Sequence, residues 1–300
     1  MKEGLKNLYF IIIKLFKTIV SLFCIVFFNQ CGTARYIRKQ RIDRKGRAVS
    51  IIANGPSARD IVNNRRDLLK DTDLLVLNNF GNQDYFFELK PKYYILLDPI
   101  FFDLSFINKG LDEKTNNGSW NEGKKLKENF IKVDWDMTLL LPSGWTNTNV
   151  LKQYANNTHI KVVQYNATRV LGFDGFQNRM YYRGEGIPSS RNVIIPAMIA
   201  LGIMGYKTIY LYGCEFSWTK TMDVDHKNGK MFFNDSHLYS NDENRYFGKG
   251  AYLWWLKVIT EDLEATDQVA KFANKYGIHI VNRTKGSFID SFDYENPDKL

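Results

Sequence analysis

Cysteine is scarce in this chain of 300 residues and occurs only at positions 24, 31 and 214. Three cysteines, two of them in the N-terminal segment, do not make the disulfide framework of a small secreted domain. The sequence therefore predicts a protein of a reducing compartment. Internal repeats and low-complexity segments are also lacking, which leaves one large globular domain or two small ones as the possible organisation.

The apolar N-terminal stretch lacks an Ala-x-Ala-like cleavage site, so a cleaved signal peptide is not expected. Residues 8–28 are almost all apolar, which suits a membrane span of about 20 residues. Lys14 and Lys17 interrupt this stretch and share one face of a helix because they are three residues apart. That pattern leaves a helix lying in the membrane surface as an alternative, and a buried core helix as a third one.

Charge is distributed unevenly along the chain, whose net charge is +9. Between Arg35 and Arg47 there are seven basic residues, opposed only by Asp43. A basic stretch beside an apolar segment indicates an acidic membrane surface before nucleic acid. We therefore predict a membrane-associated helix and basic stretch over residues 1–47, with a cytoplasmic domain at the membrane and no nucleic-acid partner. Deleting residues through about Lys39 is expected to release a soluble, active domain.

From residue 48 onward the pattern is α/β, and residues 48–300 are predicted to form one domain. Apolar runs indicate strands at 49–54, 73–79, 93–98, 138–142, 160–165, 207–212 and 278–282. Helices are predicted at 193–205, apolar on most faces, and at 252–276. Residues 108–123 are predicted as loop, and the polar, aromatic residues 217–248 as a lid-like segment. Strands that alternate with helices indicate a Rossmann-like, mostly parallel sheet with helices on both faces.

The first predicted strand ends abruptly in Asn54-Gly55-Pro56-Ser57. Gly55 allows a close approach of the backbone to a ligand, and Ser57 is expected to cap the following helix. Ligands of open α/β sheets bind outside the carboxyl ends of the strands, where such a turn lies. An ordinary strand-to-helix turn is the alternative interpretation.

Polar residues also end other predicted strands, including Asn78 with Asn79, Asp98, and Gly213 with the two residues after it. In a parallel sheet these ends gather on one edge, so the pattern predicts a shared cleft. Buried amides need hydrogen-bond partners, and the base and ribose of a nucleotide would supply them.

Five segments in this order resemble the bacterial lipooligosaccharide sialyltransferases of glycosyltransferase family forty-two and related cell-surface glycosyltransferases. They are IIANGPS, VLNNF, YYILLDPIFFD, IPSS followed by AMIALGIMGYKTIYLYGCEF, and NDSHLY. The resemblance covers roughly residues 49–280. It implies a variant of the GT-A fold, a cytidine-nucleotide sugar donor, and metal-independent inverting transfer with a histidine base.

The resemblance also implies roles for individual residues. Asn54 and Ser57, with Gly55 between them, match the turn that holds the donor phosphate and ribose. Asn78 matches an amide at the second strand end, and Asp98 stands where the family has an asparagine that contacts the nucleotide.

Three further matches lie later in the chain. Ser189 or Ser190 falls near a serine beside the donor, and the choice between them stays open. Gly213 matches a glycine beside the base. His237, in Asp-Ser-His-Leu-Tyr, matches the catalytic histidine.

This chain departs from the family where two tyrosines hold the leaving phosphate, because Ser217 and about Asp223 stand at those positions. Nearby residues that could take this role are Trp218, Lys220, Tyr239 and Arg245. Asp223-Val-Asp225 followed by His226 is a nominal D-x-D motif, which metal-dependent glycosyltransferases use to hold a divalent ion.

The sequence thus predicts a sialyltransferase-like enzyme on the cytoplasmic face of a bacterial inner membrane. CMP-sialic acid is the expected donor, a glycan or lipid-linked glycan the acceptor, and no metal or other cofactor is expected. One alternative is a transferase that uses another nucleotide sugar, with or without a metal ion. The other is a non-catalytic nucleotide-binding partner of a glycan assembly complex.

Overall fold

A sheet of eight parallel strands forms the centre of the computed structural model, which describes residues 2–27, 33–41, 46–102, 113–145, 148–154, 156–235, 238 and 243–300. In chain order the strands of these residues are β1 (Ala48–Ile52), β2 (Thr72–Leu77), β3 (Tyr93–Ile95), β4 (Met137–Pro142), β5 (Ile160–Tyr165), β6 (Thr208–Tyr212), β7 (Met222–Val224), β8 (Met231–Asp235), β9 (Glu243–Tyr246), β10 (His279–Asn282) and β11 (Asp293–Tyr294). Strands β7, β8 and β9 form a second, antiparallel sheet.

The order of the large sheet is β11-β10-β6-β1-β2-β3-β4-β5. The chain builds outward from β1 to β5 and then returns to place β6 on the other side of β1. Strand β1 therefore lies beside the point where the direction of the sheet's construction reverses. In open α/β sheets this switch point leaves a crevice at the carboxyl ends of the two strands.

Helices cover both faces of the sheet. The helices of the described residues are α1 (Lys2–Phe27), α2 (Thr33–Arg38), α3 (Ala58–Asn64), α4 (Tyr85–Leu89), α5 (Glu113–Ile131), α6 (Thr148–Tyr154), α7 (Asp174–Arg183), α8 (Ile194–Met204) and α9 (Ala251–Tyr276). Helices α2, α7, α8 and α9 contribute to the apolar core on one face, and α3 to α6 contribute to the core on the other. Every residue of α8 is buried, which accounts for its apolar sequence.

The predicted α/β class and the mostly parallel, Rossmann-like sheet are confirmed. The seven strands predicted from apolar runs all exist, each within a few residues of its predicted bounds. These runs are readable because strands of a parallel sheet are covered on both faces and must be apolar on both.

The loop predicted at 108–123 is wrong for its described part, because α5 begins at Glu113. Its Gly- and Asn-rich sequence has weak helix propensity. Leu126 and Phe130 are four residues apart and both are buried in the core. Packing of this apolar stripe, rather than local preference, stabilises the helix.

The lid-like segment predicted at 217–248 is also different in its described part. Strands β7, β8 and β9 occupy it as a three-stranded meander. Phe233 of β8 is buried and its ring lies 5.1 Å from that of Trp255 in α9. Phe247, which follows β9, also contacts the rings of Tyr252 and Trp255, so the segment is packed against α9 through aromatic side chains.

Residues on the two sides of the predicted boundary at residue 47 pack against each other. Ile37 of α2 is buried in the same core as α8, and Ala34 of the same helix is also buried. Arg38 donates a hydrogen bond to the Arg183 carbonyl at 2.8 Å. A truncation after Lys39 would remove these contacts, so a soluble form that keeps the core should begin before Thr33.

Helix α1 is long and apolar enough to cross a membrane: the most apolar 18-residue stretch within Gly4–Phe27 has a mean hydropathy of 2.4, and only 6% of that stretch is buried. Length and composition of this kind are shared by membrane anchors and signal sequences. The predicted membrane-associated helix is thus supported as a helix.

Candidate functional site

A cleft of about 380 Å³ lies at the switch point, above the carboxyl ends of β1, β2 and β6. Among the predicted site residues, Asn54, Gly55, Asn78 and Gly213 line it. Ligand sites of small molecules usually have volumes of roughly 300–1,000 Å³. The sheet topology therefore brings four of the predicted residues together in a cleft of suitable size.

The turns after β1 and β6 contact each other directly at the base of this cleft. The Gly55 N–H donates to the Gly213 carbonyl at 3.0 Å, and Gly213 has a φ of +68°. A Cβ atom on Gly55 would lie 2.6 Å from the Gly213 carbonyl oxygen and 1.5 Å from Glu215 Oε2. Glycine is thus required here by the close approach of two backbones.

Glu215 satisfies the backbone at the start of α3. Its Oε1 accepts a hydrogen bond from the Ser57 N–H at 2.7 Å. Ser57 itself has helical dihedrals and makes no side-chain capping hydrogen bond, so the expectation that Ser57 caps this helix is wrong. A carboxylate from the neighbouring strand end supplies the negative charge that favours a helix N-terminus, and Ser57 does not line the cleft.

Asn54 is held at the end of β1 by one side-chain hydrogen bond, from Nδ2 to the Leu77 carbonyl at 3.2 Å. Because a carbonyl only accepts, this bond fixes which end of the amide is the nitrogen. The opposite atom, Oδ1, is buried and has no hydrogen-bond partner among the described residues. An acceptor left unpaired in this way costs about 1–3 kcal/mol unless another group donates to it.

Leu238 is fixed against the same turn. Its N–H donates to the Asn54 carbonyl at 2.7 Å, and its own carbonyl accepts from the Arg59 guanidinium at 3.0 Å. The Leu238 side chain is buried. The chain that follows β8 therefore returns to the turn after β1.

Asn78 begins the turn after β2 with a φ of +46°, a left-handed conformation that asparagine tolerates better than most residues. Its Oδ1 accepts from the Leu97 N–H at 3.3 Å, and its carbonyl accepts from the Tyr94 hydroxyl. These bonds tie the ends of β2 and β3 together. Asn78 thus lines the cleft from a fixed backbone position.

Ser189 and Ser190 do not line the cleft. The Ser190 hydroxyl donates to Asp262 of α9 at 2.7 Å, the Arg191 N–H donates to the same carboxylate at 2.8 Å, and Ser189 donates to Glu261. Burial raises the pKa of Asp262, and the hydrogen bond from Ser190 opposes that rise. The two serines hold a turn, and the residues that this turn places in the cleft are the next two, Arg191 and Asn192.

Arg191 and Lys220 are the basic residues among those described that line the cleft, and Glu215 is the acidic one. The Arg191 guanidinium lies 5.2 Å from the ring centre of Trp254 and 4.0 Å from Glu261. Lys220 and Trp218 were candidates from sequence, whereas Arg191 was missed. Its only sequence signal is its position directly after the two serines.

Asp98 lies outside the cleft, beyond Asn78 at the carboxyl end of β3. Its Oδ1 accepts from the Ile100 N–H at 3.1 Å. Burial raises the pKa of the Asp98 carboxyl, and the nearby charge of Glu122 adds to the rise. In this structure Asp98 therefore shapes the turn after β3 and is not among the residues that face the switch-point cleft.

Cys214 and Phe216 flank Glu215 on the β6 side. Burial raises the pKa of the Cys214 thiol far above its ordinary value, so the thiol stays protonated and is not a nucleophile. Phe216 has a φ of +53°, an uncommon conformation for an aromatic residue that costs about 1–3 kcal/mol and is found most often at functional sites. Its ring lies 5.1 Å from that of Trp218.

His237 lies outside the residues that the structure describes, and so does Tyr239. The D-x-D pair lies in the described part of the meander, where Asp225 closes the turn between β7 and β8. Its carboxylate accepts from the Lys227 N–H at 2.9 Å and from Asn228 Nδ2 at 2.7 Å, and these bonds lower its pKa. Among the described residues, no three His, Cys, Asp or Glu side chains are grouped so as to hold a metal ion.

The residues at the switch point thus combine amides from two strand ends, two cations and one carboxylate around a cleft closed at its base by paired glycines. This arrangement can accept a polar organic ligand that carries both hydroxyl or amino donors and a negative charge. No protein-family model matches this chain, and no curated protein matches it.

Proposed function

We propose that this chain is a membrane-associated glycosyltransferase that binds a nucleotide-sugar donor in the switch-point cleft. The observation that carries the proposal is the convergence of Asn54, Asn78, Arg191 and Lys220 on one cleft at the carboxyl edge of the sheet. The sequence resemblance adds the donor class: a cytidine nucleotide, with CMP-sialic acid as the first candidate, in a GT-A-like domain.

The unpaired Asn54 Oδ1 indicates which part of the ligand faces the turn. It is an acceptor, so it requires a donor such as a ribose hydroxyl or the amino group of a cytosine. Phosphate oxygens accept and cannot fill this role. We therefore assign the nucleoside, and not the phosphate, to Asn54, whose amide would rotate slightly toward the cleft. The phosphate would bind away from this turn, because the Ser57 N–H already donates to Glu215.

Arg191 and Lys220 are then the groups that would stabilise the phosphate as it leaves. Charge-assisted hydrogen bonds from guanidinium and ammonium groups are about twice as strong as neutral ones, and they act where negative charge develops in the transition state. They would replace the two tyrosines of the sialyltransferases, which this sequence lacks.

The base in this proposal is His237, which would take the proton from the acceptor hydroxyl. Leu238, the next residue in the chain, is bound to the Asn54 carbonyl and to Arg59. These bonds hold Leu238, the residue after His237, against the turn that lines the cleft. The remaining histidines lie elsewhere: His226 is exposed in the meander, and His159 and His279 face Asp136 and Asp293.

A donor panel tests the proposal. Purified full-length protein is incubated with CMP-sialic acid and with UDP- and GDP-sugars, and nucleotide release without acceptor is measured beside the thermal shift. Release from one donor supports an enzyme with that specificity. A thermal shift without any turnover, even when acceptor glycans are added, would instead indicate a nucleotide-binding partner, and neither effect with any nucleotide would overturn the proposal.

Replacing Asn54 tests the assignment of the nucleoside. Asn54→Ala should weaken binding of the free nucleotide about tenfold to a hundredfold, because loss of a buried hydrogen-bonding partner costs about 1–3 kcal/mol. Isothermal titration with CMP measures the effect in a variant whose folding is checked by circular dichroism.

Asn82→Ala is the matched control. Asn82 also follows β2, donates to one backbone carbonyl at 3.0 Å and has a buried Oδ1 without a hydrogen-bond partner among the described residues, but it does not line the cleft. Its replacement should cost similar stability and leave CMP affinity unchanged. Equal affinities of the two variants would remove Asn54 from the binding site.

Activity is expected to survive chelation. Asp225 is engaged in its own turn, and neither it nor Asp223 lines the cleft, so the D-x-D pair is poorly placed to hold a metal ion against the donor. Turnover is measured with and without excess EDTA. Abolition by EDTA, with recovery on adding Mn²⁺ or Mg²⁺, would favour the metal-dependent alternative.

A further inference from the structure

Among the described residues, helix α1 contacts the domain mainly through a polar stripe. Ser21 is 3% exposed, and its hydroxyl both donates to the Leu171 carbonyl at 2.9 Å and accepts from the Leu171 N–H at 2.8 Å. One turn earlier, Thr18 Oγ1 accepts from the Phe173 N–H at 3.1 Å. The helix is therefore hydrogen-bonded to the loop that precedes α7.

The same stripe continues in both directions. Lys14 lies 3.8 Å from Asp174, and Ile25 packs against the apolar core. Positions 14, 18, 21 and 25 are separated by four, three and four residues, so they lie on one face of the helix. A Cβ atom on Gly172 would lie 2.9 Å from Thr18 Cα, which shows how closely the two backbones approach.

The opposite face is apolar and exposed. Leu8, Ile12, Leu15, Ile19, Phe23 and Val26 are each at least 50% exposed. Ile11 and Val20 mark the edges of this apolar arc, which covers roughly half of the helix circumference at 100° per residue. Lys14 and Lys17, which interrupt the apolar sequence, instead line a polar cavity between α1 and α9.

A helix docked in this way is too short to cross a bilayer. The stretch from residue 2 to residue 13, before the docked stripe begins, is about 18 Å long at 1.5 Å per residue. The hydrocarbon core is about 30 Å thick. Immersing residues 14–25 would carry the backbone of the 171–174 loop into lipid, where polar groups that lack water are strongly disfavoured.

We propose that α1 lies in the plane of one leaflet, with its polar stripe on the domain and its apolar arc in the lipid. An arc of this width fits a bilayer surface, whereas a second copy of the helix would need only a narrow seam. Helix α7 runs from the α1 contact at Asp174 to the α2 contact at Arg183. Arg35 of α2 and Lys39, which follows that helix, are exposed. The partner is therefore a bilayer with anionic headgroups.

Labelling from one side of sealed membrane vesicles tests this orientation. Cysteines are introduced singly as Gly4→Cys, at the start of α1, and Lys299→Cys, on the domain surface, in full-length protein with Cys24 and Cys31 changed to serine. A membrane-impermeant maleimide is added before and after detergent. An in-plane helix gives the same accessible fraction at both positions, whatever the orientation of the vesicles. Complementary fractions would show a spanning helix and overturn the proposal.

Two further measurements test the two faces of α1. The first asks whether the apolar arc contacts lipid or a second copy of the chain, and the second asks whether the polar stripe is hydrogen-bonded to the domain. The emission of an environment-sensitive fluorophore on Phe16→Cys should shift to the blue when vesicles with anionic lipid are added. A shift that depends only on protein concentration would indicate self-association and contradict the proposal.

Ser21→Ala should speed hydrogen exchange at the Leu171 N–H at least tenfold in the membrane-bound protein. Unchanged exchange would show that the polar stripe is not docked. These outcomes do not depend on whether the chain is a glycosyltransferase.

Discussion

His237→Ala should lower kcat by about 10²–10⁴-fold, the range of a lost general base. A sugar hydroxyl is a poor nucleophile at neutral pH, and an imidazole with an ordinary pKa near 6.5 can accept its proton as the new bond forms. Affinity for the nucleotide should change little because the base acts on the acceptor. Steady-state turnover together with CMP titration separates the two effects.

The pH profile gives this prediction a second readout. The base must be neutral to accept a proton, so kcat/KM of the wild type should fall as pH decreases through the imidazole pKa. This acidic limb should be absent in His237→Ala. Because the limb depends on chemistry rather than folding, a destabilised variant would not mimic its loss.

His226→Ala is the control, since His226 is exposed in the turn between β7 and β8 and does not line the cleft. It should keep near-wild-type turnover. A large loss in His226→Ala with little loss in His237→Ala would reverse the assignment and move the active site toward Asp223 and Asp225.

Gly213→Ala should destabilise the protein by about 2–5 kcal/mol. Its φ of +68° costs an alanine about 1–2 kcal/mol. In addition, the new Cβ would lie 2.7 Å from Ala58 Cβ and 2.8 Å from the Ala53 carbonyl oxygen, and overpacking of a buried contact costs about 1–3 kcal/mol. Urea denaturation measures the loss, and CMP affinity should fall with it because Gly213 lines the cleft.

Gly277→Ala separates the cost of the left-handed backbone from the cost of overpacking. Gly277 ends α9 with a φ of +60°, but nothing lies within 4 Å of where its Cβ would be. It should therefore show only the cost of the left-handed backbone and keep full affinity for CMP. If Gly213→Ala were no less stable than Gly277→Ala, the close approach of the turns after β1 and β6 would not be a structural requirement.

Much of the fold could be predicted because segments that are buried on both faces are apolar, and such apolar runs are visible in the sequence. Helix α8 is apolar throughout, and four of the five residues of strand β1 are apolar, because both elements are covered on their faces by other parts of the fold. The alternation of such segments favours a parallel sheet. The position of the turn at Asn54 and Gly55 could also be predicted, because the apolar run of a buried strand stops there in a sequence rich in turn-forming residues.

Helix α5 and the β7–β9 meander were missed because their stability comes from contacts that are distant in the sequence. The apolar stripe of α5 consists of few residues in a polar, Gly-containing segment, and it becomes helical because Leu126 and Phe130 fill the core beneath it. The meander is anchored through Phe233 on Trp255, a contact between residues that no local pattern connects.

The sequence by itself determined the class of the sheet, the position of its first turn and the presence of a long apolar helix, because these depend on periodicity and local turn chemistry. Only the tertiary structure decided which polar residues face the cleft. It placed Arg191 there instead of Ser189 and Ser190, because Asp262 and Glu261 on α9 bind the two serines. It also placed the Glu215 carboxylate where it accepts a hydrogen bond from the Ser57 N–H. In addition, it oriented the polar stripe of α1 toward the domain. Each of these outcomes depends on a partner far away in the chain, and hydrogen-bond partners at such separations are fixed by the fold rather than by neighbouring residues.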